Sequence, residues 1–376
     1  MSDGDEGDSM NLVDGLGEAS DLDDHLQSSQ QTSIASCDND RALAGIEETI
    51  KGITASLLSR SEFSLKLHSR RPNTSQFDPV TSSILPSQPL PSHFAATSFP
   101  SSARRFACIL FVLEILHANR TSYPRTPLTK RDIYYHNPTL FRNQQTVNSI
   151  VDSLAATLEV TRGMLGVSAA AKGLVYGHVL LADASHAASL LLPGGGLIPS
   201  VPATPHPLVR NILVVEKETV FRTFATASSG IPAARILLVT AKGYPDIATR
   251  RFLATASVPV HALVDWDPDG VGILATYRFG SSSLAHERLA IRGVHWAGVR
   301  MEDLPLGALD DVGIARLSTR DRQRGKALLG RAWMAEVQEW KIEVQRMLFL
   351  GVKAEIETVC GGDFGKRLIA SLSENL

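Results

Sequence analysis

Two groups of acids stand where a cation would be held. Glu216 closes the apolar run 212–215, and the string DWDPDG supplies Asp265, Asp267 and Asp269 just after the run 258–264. In open α/β sheets, ligands lie outside the carboxyl ends of the strands, so two neighbouring strands would bring these acids into one crevice. Crowded carboxylates repel one another unless a cation neutralises them, and oxygen ligands that leave room for water suit Mg²⁺. DWDPDG also matches the opening of an EF-hand, but position twelve of that loop is Thr276 rather than Glu and a β-rich run precedes it. A polar turn that merely caps the next helix would explain an isolated DxD. Glu216 on an adjacent strand favours the cation.

A different chemistry is available at KRDIYYHN. A phenol ionises near pH ~10, so Tyr135 is a poor nucleophile unless a base or positive charge assists it. Lys130 and Arg131 lie just upstream and offer field or phosphate contacts. A Tyr-Tyr pair by itself is more often a matter of packing.

These residues need elements to carry them. The runs 212–216, 235–240 and 258–267 alternate with helical stretches at 217–227 and 247–256, the pattern of a parallel α/β sheet. Upstream, the spacing predicts a helix over 106–118, then TKRDIYYHNPTLF, then a helix through Val147, Ile150, Val151, Leu154 and Leu158 capped by Asn143. Short apolar runs separated by Gly166, Gly173 and Gly177 predict a small hairpin, and helices followed by a hairpin describe a winged helix-turn-helix. An amphipathic helix is expected over 40–59, from Leu43, Ile46, Ile50, Ile53 and Leu57.

Composition sets the limits. The 376 residues are 44% hydrophobic and 20% charged, enough for about two domains at roughly 100 to 200 residues each. The longest apolar run, 106–116, is broken by Glu114 and falls short of the ~20 residues of a membrane span. The start of the chain lacks the basic-then-apolar order of a secretory leader, and Cys37, Cys108 and Cys360 are too scattered for a zinc site or disulfide framework. Residues 1–40 hold eleven Asp and Glu and no Lys or Arg, so the net charge of -2 conceals +9 on the remainder, an excess able to attract a polyanion. No G-x-x-x-x-G-K-[ST] loop occurs, so ATP is not expected to bind by that route.

Several strings in order resemble one family. KRDIYYHNPTLF, NQQTVNSIVD and AAKGLVYG are similar to the catalytic winged-helix domain of the Spo11 and topoisomerase VI A-subunit family, and VVEKETVFR, AKGYPDIATRRF, LVDWDPDG and KAEIE (353–357) resemble its Toprim domain. The likeness spans roughly 104–360. It implies an α/β chain with a winged-helix (CAP-like) catalytic domain followed by a Toprim domain with a mainly parallel sheet. The expected divisions are an acidic disordered arm over 1–39, the helix 40–59, a Pro/Ser-rich linker over 60–102, the winged helix over 103–183, a connecting loop over 184–207, and a Toprim domain with a C-terminal helical extension over 208–376.

By the same resemblance Tyr135, the second tyrosine of the R-D-I-[YF]-Y motif, is the nucleophile and Tyr134 its packing neighbour. Arg131 is the active-site arginine, Lys130, Lys172 and Arg250 contact DNA, and Glu216, Asp265 and Asp267 hold Mg²⁺. Ala241 departs from the usual glycine, and Asp269 stands where an aromatic residue or histidine is common. The implied activity is a double-strand break by transesterification in a homodimer, initiating meiotic recombination in the nucleus with meiotic accessory proteins and a topoisomerase VI B-like subunit. DNA relaxation with an ATPase partner, nuclease or primase chemistry at the Toprim acids, and a noncatalytic DNA-binding protein are the competing readings.

Overall fold

The computed structural model describes residues 40–59, 67, 76–85, 101–124, 126, 128–168, 171–181, 187–199, 203–226, 232–304, 313–360 and 363–374. The acidic arm over 1–39 and most of 60–102 lie outside the described residues.

A central sheet organises the carboxyl-terminal half. Across it run His295–Gly298, Val260–Leu263, Asn211–Val215, Ile236–Thr240, Leu174–Leu181 and Ala187–Leu190. The first four are mutually parallel. Every residue of Asn211–Val215 and Ile236–Thr240 is buried, as a strand covered on both faces requires, which is why these segments read as unbroken Val, Ile and Leu. The helices Glu218–Phe224, Ile247–Ala254 and Pro268–Phe279 follow three of these strands in turn, the order of βαβ units.

A second apolar cluster gathers the upstream helices. Ser101–Thr121 and Gln144–Thr157 pack around Ile133 and Phe141, and Ala42, Ile46 and Ile53 of the helix at 40–58 enter the same cluster. Of the apolar stripe expected over 40–59, Ile46, Ile50 and Ile53 are thus engaged in docking, whereas Leu57 stays exposed. Asn143 caps Gln144–Thr157 through its side-chain oxygen, which accepts from the Thr146 N–H at 2.9 Å.

Three expectations are corrected. Among the described residues the hairpin expected around 164–179 is not seen: Val167–Ser168 pairs in parallel with Leu128–Thr129, and Leu174–Leu181 is an eight-residue strand antiparallel to Ile236–Thr240. Within the segment expected to be a connecting loop, Ala187–Leu190, Gly196–Leu197 and Ala203–Pro205 all pair with that same strand. The sheet therefore reaches across the boundary that composition suggested at 184–207. Gly173 permits this join, because a Cβ there would collide with the Thr249 hydroxyl and lie 2.9 Å from the Thr240 carbonyl. In the Pro/Ser-rich stretch, Phe77–Asp78 and Ser83–Ile84 form a short hairpin that lies on the sheet domain, with the Phe77 ring edge-on to Phe279 at 5.7 Å.

Polar contacts tie the helical part to the sheet part. The Arg162 N–H donates to Glu287 at 3.0 Å, and the Lys172 N–H donates to Asp246 at 3.2 Å.

Candidate active site

Tyr135 rides on Lys130–His136, a helix of two turns fixed by its sequence. T-K-R-D is a capping box: Thr129 N–H donates to the Asp132 carboxylate at 2.8 Å, and Asp132 N–H donates back to the Thr129 hydroxyl at 3.1 Å. Such a cap contributes about 1 kcal/mol, a large share for so short a helix. Ile133 is fully buried, so its turn faces the core and the opposite face carries Arg131 and Tyr135, four residues apart. Tyr135 is 59% exposed, and an Arg131 guanidinium N–H reaches its hydroxyl at 3.4 Å, a long contact. Tyr134 is half-buried against the helical core, its ring 5.4 Å from that of Tyr135. His136 turns back on its own helix, with Nδ1 2.8 Å from the Asp132 carbonyl.

A cavity of about 770 Å³ opens beside the tyrosine, lined by Lys130, Arg131, Gln144, Asn148 and Arg162 and, from the sheet part, by Asp246 and Leu284. Gln144, Asn148 and Arg162 were not singled out by the sequence. Gln144 and Asn148 share one helix face at i,i+4, a spacing that becomes informative only once that face is known to border Tyr135.

The acids stand where the strands end. Glu216 directly follows Asn211–Val215, and Asp265 and Asp267 follow Val260–Leu263, the neighbouring parallel strand. The Asp265 N–H donates to Glu216 Oε2 at 3.0 Å, coupling the two strand ends. Asp267 is the N-cap of Pro268–Phe279, accepting from the Gly270 N–H at 2.6 Å, so the capping role weighed against metal binding is also real. The late segment 353–357 closes over the site. Trp266 and Ala354 exchange backbone hydrogen bonds, and the Ile356 N–H donates to Asp265 Oδ1 at 2.8 Å.

Burial and mutual repulsion mark the cluster electrostatically. Burial, reinforced by the charge of Asp265, pushes the Glu216 carboxyl up to about 8. Burial likewise raises Asp265 to about 6 and Asp267 above its ordinary range. Lys217, which the sequence offered as Glu216's neighbour but did not single out, puts its ammonium 3.3 Å from Asp265 Oδ2, 2.9 Å from Glu355 and 2.8 Å from Glu357. Among the described residues no three His, Cys, Asp or Glu side chains are gathered closely enough to hold a metal ion. The donor set nevertheless fits a hard divalent cation. It consists of carboxylate oxygens, desolvated and mutually repelling, partly balanced by Lys217 at Asp265 and by the charge of Lys353 at Asp267.

The residues expected to touch DNA are placed unevenly. Lys130 is ion-paired with Asp152 and reaches the Asn148 carbonyl, and Lys172 is exposed but bound to the Tyr244 carbonyl at 3.0 Å. Arg250 departs most from expectation: it is 1% exposed, with Nε and Nη2 donating to the Leu289 carbonyl at 3.1 and 2.9 Å. A side chain held this way does not project from the surface as an exposed phosphate ligand would, and reaches outside only through the cavities it lines. Asp269, kept out of the ligand set, lies 3.5 Å from Arg324 Nε. At the Ala241 departure, the positive φ angles fall on Lys242 (57°) and Gly243 (94°), so alanine costs the turn nothing.

Comparison with known proteins adds to this geometry. Residues 211–366 match the profile of the Toprim domain shared by Spo11 and the topoisomerase 6 A-subunit, and residues 104–167 match that of type IIB DNA topoisomerase. Meiotic recombination protein SPO11-1 of Oryza sativa subsp. indica is 34% identical over 264 residues, covering 67% of this chain and 67% of that protein. Meiotic recombination protein rec12 of Schizosaccharomyces pombe is 32% identical over 272 residues, 70% and 75% of the two chains. Meiotic recombination protein SPO11 of Mus musculus is 29% identical over 353 residues, 90% and 87%. The Toprim match begins at the first residue of the strand that ends in Glu216, and the other match contains Tyr135, so both candidate centres fall inside the aligned regions. On this agreement of sequence with architecture, the chain belongs to the Spo11 and topoisomerase VI A-subunit family.

Proposed function

We propose that this protein cuts duplex DNA by transesterification at Tyr135 and so initiates meiotic recombination in the nucleus. The observation that carries the reading is the exposed Tyr135 hydroxyl, faced by the Arg131 guanidinium at 3.4 Å on the wall of a groove large enough for a nucleic-acid backbone. The phenol oxygen gives up its proton and bonds to a backbone phosphorus, the P–O3′ bond breaks, and the departing 3′ oxygen takes up a proton in turn. The phosphodiester energy is kept in a 5′-phosphotyrosyl bond and no water is consumed. Arg131 counters charge developing on the phosphoryl oxygens. Glu216, Asp265 and Asp267 would hold Mg²⁺, which when bound supplies a positive charge for the DNA and the departing 3′ oxygen.

A homodimer completes the site. Among the described residues the Tyr135 hydroxyl meets Arg131 on its own helix, whereas the three carboxylates are met by Lys217, by the Asp265 and Gly270 N–H groups and by the Ile356 N–H. Pairing the tyrosine of one protomer with the acids of its twin joins the two halves and gives one cut per strand. ATP-driven steps fall to a topoisomerase VI B-like partner. The helix at 40–58, which leaves Leu57 and Leu58 60% and 81% exposed, is the candidate contact for that partner or for meiotic accessory proteins. Relatives named for meiotic recombination support the biological setting.

The test is to incubate the protein with labelled duplex and Mg²⁺, denature, and digest the DNA. A labelled polypeptide lost in Tyr135→Phe is expected. Cut ends without attached protein would instead favour nuclease chemistry at the acids.

A further inference from the structure

Two cavities meet beneath the Phe77–Ile84 hairpin, and both are lined by Arg250. The first, about 340 Å³, also takes Arg288 and Arg292; the second, about 470 Å³, takes Arg324 and Arg331. Neither has an Asp or Glu in its lining. Five arginines line the joined cavities with no lining carboxylate; Arg324 is paired with Asp269 and Arg292 lies in the field of Asp78, which leaves an excess of positive charge outside the tyrosine and the acid cluster.

Arg250 is the unusual member. Among the described residues its one hydrogen-bond acceptor is the Leu289 carbonyl, and Nη1 is buried with no partner. The acid nearest it electrostatically, Glu287, accepts from the Arg162 N–H at 3.0 Å and pairs with Arg251 at 3.5 Å. A buried guanidinium served by one carbonyl is costly to keep and is offset by an anion close by. Among the described residues neither Arg288 nor Arg292 forms an ion pair, and both are exposed. Asp78, the carboxylate whose charge is felt by Arg292, already accepts from the Val80 and Thr81 N–H groups and the Thr81 hydroxyl. The rim guanidiniums are therefore free to fork onto phosphate oxygens, the geometry arginine favours.

Position selects the source of that phosphate. Leu284 lines both of these cavities and also the groove beside Tyr135. A backbone lying in the tyrosine groove that runs past Leu284 arrives at the arginines. We infer that Arg288 and Arg292, over a floor formed by Arg250, grip a backbone phosphate of the duplex some nucleotides from the scissile one. This inference rests on the proposed DNA cleavage and deepens it: the grip fixes how far duplex must extend on one side of the cut.

The test uses full-length protein carrying Tyr135→Phe, a fluorescent duplex, and anisotropy across a salt series. Arg288→Ser/Arg292→Ser is compared with Arg210→Ser/Arg235→Ser, which removes equal charge at the amino ends of two sheet strands. Loss of one to two phosphate contacts lowers the slope of log K against log salt by about 1 to 2 and the affinity about tenfold or more, with the control nearly unchanged. Equal effects from both pairs would overturn the site. Arg250→Lys, which keeps the charge and loses the fork, is expected to weaken binding less than the rim pair, with thermal unfolding reporting that it folds. Inorganic phosphate separates the sources. If it raises Tm in the parent but not in the rim variant while duplex affinity is equal in both, the site takes a free anion and the DNA assignment falls. An unchanged slope alongside a normal tyrosyl adduct in the unmodified protein would sink this inference alone, whereas a changed slope with no adduct would sink the cleavage reading and leave the grip standing.

Discussion

At the scale of single residues, the arrangement of Arg131 and Tyr135 predicts separable effects on chemistry and stability. Arg131→Ala should lower adduct formation about 10²- to 10³-fold, the range for removing one donor to a developing anion, with Lys in its place recovering part. Thermal unfolding of the same variant should be nearly unchanged, because both side chains are exposed. The acids predict a pH dependence. Glu216 and Asp265 have folded carboxyls raised to about 8 and about 6, so the folded state binds more protons than the unfolded one between the ordinary carboxylate range and those values. Metal-free protein should therefore lose stability as pH rises from about 5 to 8, Glu216→Gln should flatten that decline, and added Mg²⁺ should reverse it; a differential scanning series reads all three. The strand-end positions of Glu216, Asp265 and Asp267 could be read from the alternation of apolar runs with helical stretches, whereas the role given to Tyr135 rested on the family resemblance. What holds Lys130, Lys172 and Arg250 was not legible, because it is Asp152, Tyr244 and Leu289, at distances along the chain that no local pattern encodes.

Among the elements, the parallel strands were plain in the sequence since burial on both faces leaves continuous apolar runs. The strand Leu174–Leu181 was assigned to a hairpin for a physical reason: glycines at 166, 173 and 177 look like turn residues, yet Gly173 and Gly177 serve close approach, a Cβ at Gly177 meeting the Leu237 side chain at 2.7 Å. The Phe77–Ile84 hairpin was hidden by composition, as its two-residue strands are too short to show alternation and its attachment depends on Phe279 and on Glu336, which accepts from the Ser82 hydroxyl at 2.8 Å. Phe77→Ala should lower stability by about 1 to 3 kcal/mol in urea unfolding, less than a fully buried phenylalanine because the ring is only half covered. Asn143→Ala should cost about 1 kcal/mol through loss of its cap.

For the whole molecule, division of the site between protomers gives a genetic complementation test in vitro. Neither Tyr135→Phe nor Asp265→Asn alone should form an adduct. Mixed and allowed to exchange protomers, they assemble dimers with one intact pairing and one doubly dead, so single-strand nicks with attached protein should appear without double-strand breaks. A mixture that stays silent would mean that tyrosine and acids act within one chain. The helical and sheet parts are braced against each other by Arg162 with Glu287 and by Lys172 with Asp246, which favours their moving as one body when the two protomers separate.

The backbone exchange between Trp266 and Ala354, with Ile356 donating to Asp265, makes the late segment 354–356 a structural wall of the acid cluster. Nonsense or frameshift alleles that stop just before Val352 would leave every strand of the central sheet encoded and every candidate ligand present. They should nonetheless behave as nulls for scission, with the protein still detectable in the cell.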